Sequence, residues 1–184
     1  METKPVLNTI LLHICCGPCS AWPVQKLRED GQVPIGYFYN PNIHPEQEYL
    51  KRLEAARKMA KALEFELIEG PYDPDAWFGR VKGYEEEKEG GARCEVCFKM
   101  RLEETYRKAK ELGIKSFTTT LSVSPHKSVK VINKAGRQIG GEAFIEYDFK
   151  KKGGFKISSD AAKLHRLYCQ TYCGCEFSRS SRKQ

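Results

Sequence analysis

The sequence predicts an α/β fold, a mainly parallel sheet of about five strands flanked by helices. Three observations carry this. Short apolar or β-branched runs alternate with longer amphipathic stretches along the 184 residues. The first and fourth runs, Asn8 to Ile14 and Lys115 to Leu121, are nearly continuous, as strands covered on both faces should be. No internal repeat or long linker interrupts the alternation, so one domain over 1–184 is expected.

Asn8 to Ile14 is the first strand. Val33 to Tyr39 and Glu64 to Glu69 are the second and third. Lys115 to Leu121 and Glu142 to Tyr147 complete the set. Ser20 to Asp30 reads as a short helix with Pro23 in its first turn. From Pro45 to Leu63 the apolar positions Leu50, Leu53, Ala56, Ala60 and Leu63 recur at three- and four-residue steps. Glu46 and Glu48 suit the positive end of that helix. A helix from Cys94 to Leu112 buries Leu102, Tyr106, Ala109 and Leu112, with Gly113 as its cap. Lys127 to Ile139 and Ser159 to Gln170 are two more. Gly70 to Arg93 is an irregular stretch, read either as a solvated insertion or as a lid hinged at Gly90 and Gly91. Residues 176–184 form a basic tail.

Strand–helix alternation at this spacing gives right-handed crossovers, hence a Rossmann-like (HUP-like) sheet. Ligands in such sheets sit outside the carboxyl ends of the strands. That rule gathers three segments on one rim. His13-Ile14-Cys15-Cys16-Gly17-Pro18-Cys19 lies where the first strand ends. Asn40-Pro41-Asn42-Ile43-His44-Pro45 follows the second. Ser122-Val123-Ser124-Pro125-His126-Lys127 follows the fourth.

No segment approaches the roughly 18 apolar residues that a membrane span needs. The start, Met1 to Pro5, does not read as a signal peptide. A cytoplasmic protein without membrane association is therefore expected. In a reducing compartment, the eight cysteines point to metal binding or redox chemistry more than to stapling. The net charge of +7 suits a polyanionic partner such as RNA.

The cysteines fall in three groups. Cys15, Cys16 and Cys19 form one, and Cys94 with Cys97 at a helix start forms another. Cys169, Cys173 and Cys175 lie near the C-terminus. A lone buried cysteine is usually a small hydrophobe, which is the expectation for Cys169. The other seven are tightly clustered, mostly beside Gly or Pro. Thiolates are ligands of zinc and of iron–sulfur centres. Cys94 and Cys97 project to one side of a helix's first turn, whose positive end favours thiolate. With Cys15 and Cys16 they complete four thiolates for a [4Fe–4S] cluster, leaving Cys19, Cys173 and Cys175 over. Structural zinc is the competing reading, but a structural site stops at four ligands. In Cys173-Gly174-Cys175, Gly174 permits a bend that brings the thiols into disulfide range. These thiols either store two electrons or bind a second metal.

His13, inside an apolar strand, is expected to be a satisfied core residue. His126 sits at the rim before Lys127, where anion binding, proton transfer and plain capping are all available roles. Asn40 and Asn42 are placed to hold a nucleoside, although Asn-Pro is also a turn signal. Lys150, Lys151 and Lys152, with Arg179, Arg182 and Lys183, are candidate phosphate contacts. Tyr72, Trp77, Phe78 and Tyr84 are candidate stacking partners for an unpaired base.

Taken together, His-x-Cys-Cys-Gly-Pro-Cys, the Tyr39 to Pro45 turn, Cys94-x-x-Cys97, Ser124 to Lys127 and Tyr172 to Cys175 resemble the QueH family of cobalamin-independent epoxyqueuosine reductases. The match is ordered and runs from His13 to Cys175. The resemblance implies reduction of the epoxide of epoxyqueuosine in tRNA to an alkene. It also implies a [4Fe–4S] cluster on Cys15, Cys16, Cys94 and Cys97, and a redox-active disulfide between Cys173 and Cys175. An electron donor of unspecified identity is then a partner, and a second iron or other metal ion nearby is expected. An open metal position near Cys19 is expected to polarise the epoxide oxygen, with His126 or a water giving a proton. Lys127, Asn40 and Asn42 are the expected substrate contacts. Two rivals stand beside this reading. An ATP-dependent tRNA thiolation-type enzyme needs a phosphate loop where Cys15 to Cys19 stand. A zinc-stabilised RNA-binding module needs no chemistry at all.

Overall fold

The computed structural model describes residues 8–181. The first strand, β1 (Asn8–His13), lies inside a sheet of order β3-β2-β1-β4. Its neighbours are β2 (Gln32–Phe38) and β4 (Ser116–Thr119), and β3 (Leu67–Glu69) flanks β2. Every pairing is parallel. Alternate residues of β1 serve opposite faces of the sheet. Ile10, Leu12 and Ile14 pack with Trp22, Val24 and Leu27 of α1 (Ala21–Glu29) and with Leu53 and Ala56 of α2 (Glu46–Ala62). Leu11 packs on the other side with Leu102 and Ala109 of α4 (Ala92–Glu111) and Ala135 of α5 (Val129–Gly140). Ile10, Leu11 and Leu12 have no exposed surface.

Several expected boundaries move, each for a local reason. The third strand starts at Leu67, not Glu64. Glu64 has φ +52, and the Phe65 N–H bonds back to the Ala60 carbonyl at 3.0 Å, so these residues close α2 instead. The fifth expected strand, 142–147, contributes one bridge between Phe144 and Phe117. The Ile145 N–H donates to the Phe117 carbonyl at 2.9 Å, and the chain then leaves the sheet. The buried stripe of α2 runs through Tyr49, Arg52, Leu53, Ala56, Met59 and Ala60, so Leu50 is left 51% exposed. Leu112 is likewise exposed at the end of α4. Gly113, at φ +69, follows it.

The stretch 70–93 is more ordered than a plain insertion. Asp73 caps α3 (Pro74–Val81) by accepting from the Ala76 N–H at 3.0 Å. This helix buries Trp77 and Val81 completely or nearly so. The last long helix is shifted toward the N-terminus. It is α6 (Gly154–Leu164), ended by Arg166 at φ +50. Cys169 therefore lies in an exposed loop, not at a buried helical position. The basic tail begins as a helix, α7 (Glu176–Ser181). There Phe177 packs against Trp77 and Phe78, and Arg179 pairs with Glu176. Arg182 and Lys183 lie outside the described residues.

The loop after β1 is pressed onto α2. A Cβ on Gly17 would stand 2.4 Å from the backbone carbon and oxygen of Ala55. Gly17→Ala should therefore push the cysteine loop off α2 and destabilise the fold by about 1–3 kcal/mol. Urea unfolding of the variant against wild type measures this.

Candidate metal and redox site

Three strand ends and the C-terminal loop bring the chemistry-bearing residues together. The Ile14 N–H continues the ladder to the Tyr37 carbonyl at 2.8 Å. The chain then turns so that the sulfurs of Cys15, Cys16 and Cys19 all lie within 4.8 Å of one another. All three residues are buried. The Thr120 hydroxyl accepts from the Cys15 N–H at 3.0 Å and points its hydrogen at the Cys15 sulfur, 3.2 Å away. Gln170 donates to the Cys16 sulfur at 3.0 Å. The three sulfurs act as one titrating unit. Hydrogen bonds from Cys16 and then Cys19 hold the Cys15 thiol well below its usual range, with Lys127 and Arg101 adding positive charge nearby. The same sharing pushes Cys16 up to about 12 and Cys19 upward too. This triad is a group that can hold a metal ion, since a thiolate flanked by further thiols is the donor set that zinc and iron–sulfur centres take.

Two adjoining cavities, of about 140 and 180 Å³, open at this end of the sheet. Cys94, Cys97, Cys173 and Cys175 border the first, and Cys15, Cys19 and Cys173 border the second. Arg101, His126 and Lys127 line both. Cys19 sits in the close triad, while Cys94 and Cys97 face the neighbouring cavity. Nor does the helix start leave these two as thiolates. Burial pushes both thiols up, more than the Gly90 N–H pulls Cys94 down or Arg101 and Trp77 pull Cys97 down.

The Cys173-Gly174-Cys175 loop is held by its backbone. Arg52 is 2% exposed, and its guanidinium donates to the carbonyls of Tyr172 and Cys173, both at 3.0 Å. Glu48 accepts from the Arg52 Nε at 2.7 Å and so neutralises it. The His44 N–H donates to the Gly174 carbonyl at 2.8 Å. Gly174 has φ +103, and a Cβ there would meet Ile43 at 2.9 Å. Only glycine fits that position. Both cysteines are free thiols. The Cys175 N–H points at the Cys173 sulfur from 3.4 Å. Hydrogen bonding from the Cys175 thiol, with help from Ser178, brings Cys173 down to about 5, and Cys175 moves up in return. One proton is thus shared by a thiolate and a thiol.

Of the expected substrate contacts, Asn42 and Lys127 border the cavity. The Asn42 Oδ1 is buried with no protein partner. Asn40 corrects the expectation. It has no exposed surface, and both ends of its amide are engaged, by the Ile14 carbonyl and by Arg101. It braces the site and cannot touch a nucleoside. His126 is an exposed rim residue whose backbone N–H bonds the Ser124 hydroxyl at 3.3 Å. Trp77 is fully buried against His44, and Tyr72 stacks on Tyr49 at 4.0 Å while its hydroxyl bonds the Ile43 carbonyl. Neither is free to stack on a base. Phe155, 51% exposed, lines the second cavity, as does Tyr172.

Sequence reasoning missed Phe155 and three buried arginines: Arg52, Arg93 and Arg101. Arg93 grips the carbonyls of Tyr84, Glu85 and Glu87 at 2.5–3.1 Å, pinning the loop ahead of α4. The available signal was position, since Arg93 precedes Cys94 and Arg101 follows Cys97 by one helical turn.

His13 is the satisfied core residue expected of it. The Tyr39 carbonyl can only accept, so His13 Nε2 carries the hydrogen. Nδ1 then accepts from the Thr119 hydroxyl at 2.9 Å, and that oxygen accepts from the Leu121 N–H. Burial, with Arg101 nearby, lowers the ring to about 3. The folded form therefore stays neutral where an unfolded chain would protonate. Between pH 6.5 and about 3 this group costs stability as pH falls, by about 1.4 kcal/mol per pH unit. Metal-free wild type should lose stability more steeply across that window than His13→Gln, measured by urea unfolding at stepped pH.

Comparison with known proteins gives the family. The sequence profile of the family described as Epoxyqueuosine reductase QueH matches residues 10–181. The Epoxyqueuosine reductase QueH of Haemophilus influenzae is 39% identical over 181 residues, covering 96% of this chain and 74% of that protein. The one from Streptococcus pyogenes is 36% identical over 185 residues, covering 96% and 72%. The one from Thermotoga maritima is 36% identical over 184 residues, covering 97% and 94%. The triad, the paired cysteines of α4 and the clamped dithiol thus stand in a chain that belongs to the QueH family of epoxyqueuosine reductases.

Proposed function

We propose that this reductase removes the epoxide oxygen of epoxyqueuosine in tRNA, leaving the alkene, at the two cavities between its cysteine groups. The observation that carries the reading is the convergence itself. Seven thiols from three distant segments border or adjoin one pair of cavities. That exceeds the four ligands of a structural zinc site. Cys15, Cys16, Cys94 and Cys97 are the residues that would hold a [4Fe–4S] cluster. Cys19, in the wall of the second cavity, would stand beside the open position of a second metal ion. Such a centre supplies electrons and a Lewis acid.

The chain's own residues do the rest. Cys173 and Cys175 together carry two electrons and, as thiolate and thiol, one proton. Oxidising them to a disulfide balances the loss of oxygen as water once a second proton is supplied: epoxide, thiolate, thiol and a proton give alkene, disulfide and water. An external reductant then restores the dithiol. The clamp of Arg52 and His44 keeps the loop still while its sulfurs change state. Asn42 offers an acceptor to the substrate inside the cavity, and Lys127 offers a cation. His126, on the shared rim, is placed to pass a proton inward.

The partner is RNA, taken from the lysine-rich side. Lys150 donates to the Lys127 carbonyl, which ties the exposed Lys151–Gly153 turn to the cavity wall. Phe155 follows that turn at the mouth. An exposed ring beside cations suits an unpaired base with its phosphates. No described helix is long and apolar enough to cross a membrane.

The direct test is anaerobic reconstitution with iron and sulfide, followed by mass analysis of tRNA carrying epoxyqueuosine. With a reductant the modified base should lose one oxygen. An unchanged mass on fully reconstituted protein contradicts the reading. Phe155→Ala should raise KM for tRNA roughly tenfold with kcat nearly kept, as steady-state assays at fixed salt will show.

A further inference from the structure

Arg101 is a buried cation set between the cysteine groups. It lies on α4, one turn beyond Cys97, and is 3% exposed. Its Nη2 donates to Asn40 Oδ1 at 2.5 Å. The Asn40 amide in turn donates to the Ile14 carbonyl at 2.9 Å, on the residue before Cys15. One bridge therefore ties α4, the end of β2 and the end of β1. The Arg101 Nε is buried with no protein partner, and the side chain lines both cavities.

A guanidinium taken out of water needs negative charge close by. Here thiols stand on either side, Cys15 bordering one cavity and Cys97 the other, and the Glu89 carboxylate also lines both. Gathering several thiolates in one buried place is self-opposing, and a fixed cation among them relieves it. The same charge favours adding an electron to whatever the thiolates hold, because net charge and hydrogen bonding set the potential of a cysteine-bound iron centre.

We propose that Arg101 is the charge-setting residue of the metal centre. It offsets the thiolate charge of both cysteine groups and holds the reduction potential up. Asn40 fixes its position. This rests on the iron–sulfur reading above. Arg101 need not touch the substrate, so its effect is read in the centre itself.

Arg101→Gln removes the charge and keeps a donor. Arg101→Lys keeps the charge. Each is reconstituted anaerobically beside wild type, and three quantities are read: bound iron and sulfide, melting temperature, and midpoint potential by a spectroscopically followed redox titration. Arg101→Gln should load iron and melt near wild type. Its reduction equilibrium should fall at least tenfold, about 59 mV for one electron. Arg101→Lys should recover most of that shift. If Arg101→Gln loads no iron while Arg101→Lys does, the charge is again what matters. A fully loaded Arg101→Gln at the wild-type potential overturns the proposal, as does loss of iron in both variants alike. Wild type that takes up no iron overturns the metal reading together with this one. Full loading beside an unmoved Arg101→Gln potential overturns this inference alone.

Discussion

Thiolates repel one another, and water is the cheapest place to leave them. A protein that buries several together needs a rigid frame to force the approach and positive charge to tolerate it. Here the frame is the carboxyl end of a parallel sheet. β1 delivers Cys15, Cys16 and Cys19 from a fully buried strand end. α4 delivers Cys94 and Cys97, and the C-terminal loop delivers Cys173 and Cys175. The charge is Arg101 with Lys127, placed where both cavities meet. Without the close packing of Gly17 on Ala55, or the Asn40 bridge, neither condition would hold.

The two thiol assemblies are built differently, and the difference fits the tasks proposed for them. The triad is locked by side chains, with Thr120 and Gln170 hydrogen-bonded to its sulfurs. The Cys173–Cys175 pair is held by its backbone, through Arg52, His44 and the positive φ of Gly174. A metal ligand gains from a fixed sulfur. A dithiol that must open and close a bond gains from a fixed backbone. One thiolate is set against one thiol in that pair, the arrangement from which thiol–disulfide exchange starts.

Much of this was legible in the residues. Apolar runs gave the inner strands, and the rule that ligands sit at strand ends put three motifs on one rim. What stayed hidden depended on tertiary arrangement. Arg52 belongs to a polar helix in which several charged residues look alike, and only the fold turns it inward. Asn40 read as a nucleoside contact because an Asn-Pro turn at a rim looks accessible. Its burial follows from Arg101 arriving from a helix 61 residues later. Spacing alone does not reveal that Cys19, in a 3-10 turn, Pro18–Ser20, brings its sulfur back beside those of Cys15 and Cys16. The fifth expected strand is reduced to one bridge, Phe144 with Phe117.

The central claim is that segments far apart in the chain furnish one inorganic centre. Bound iron and acid-labile sulfide, measured with the visible spectrum after anaerobic reconstitution, test it in single-cysteine variants. Cys15→Ala and Cys97→Ala should each lower bound iron and change the spectrum, while Cys169→Ala, altered at an exposed loop, should match wild type. A Cys97→Ala protein with the iron content and spectrum of wild type would contradict the account.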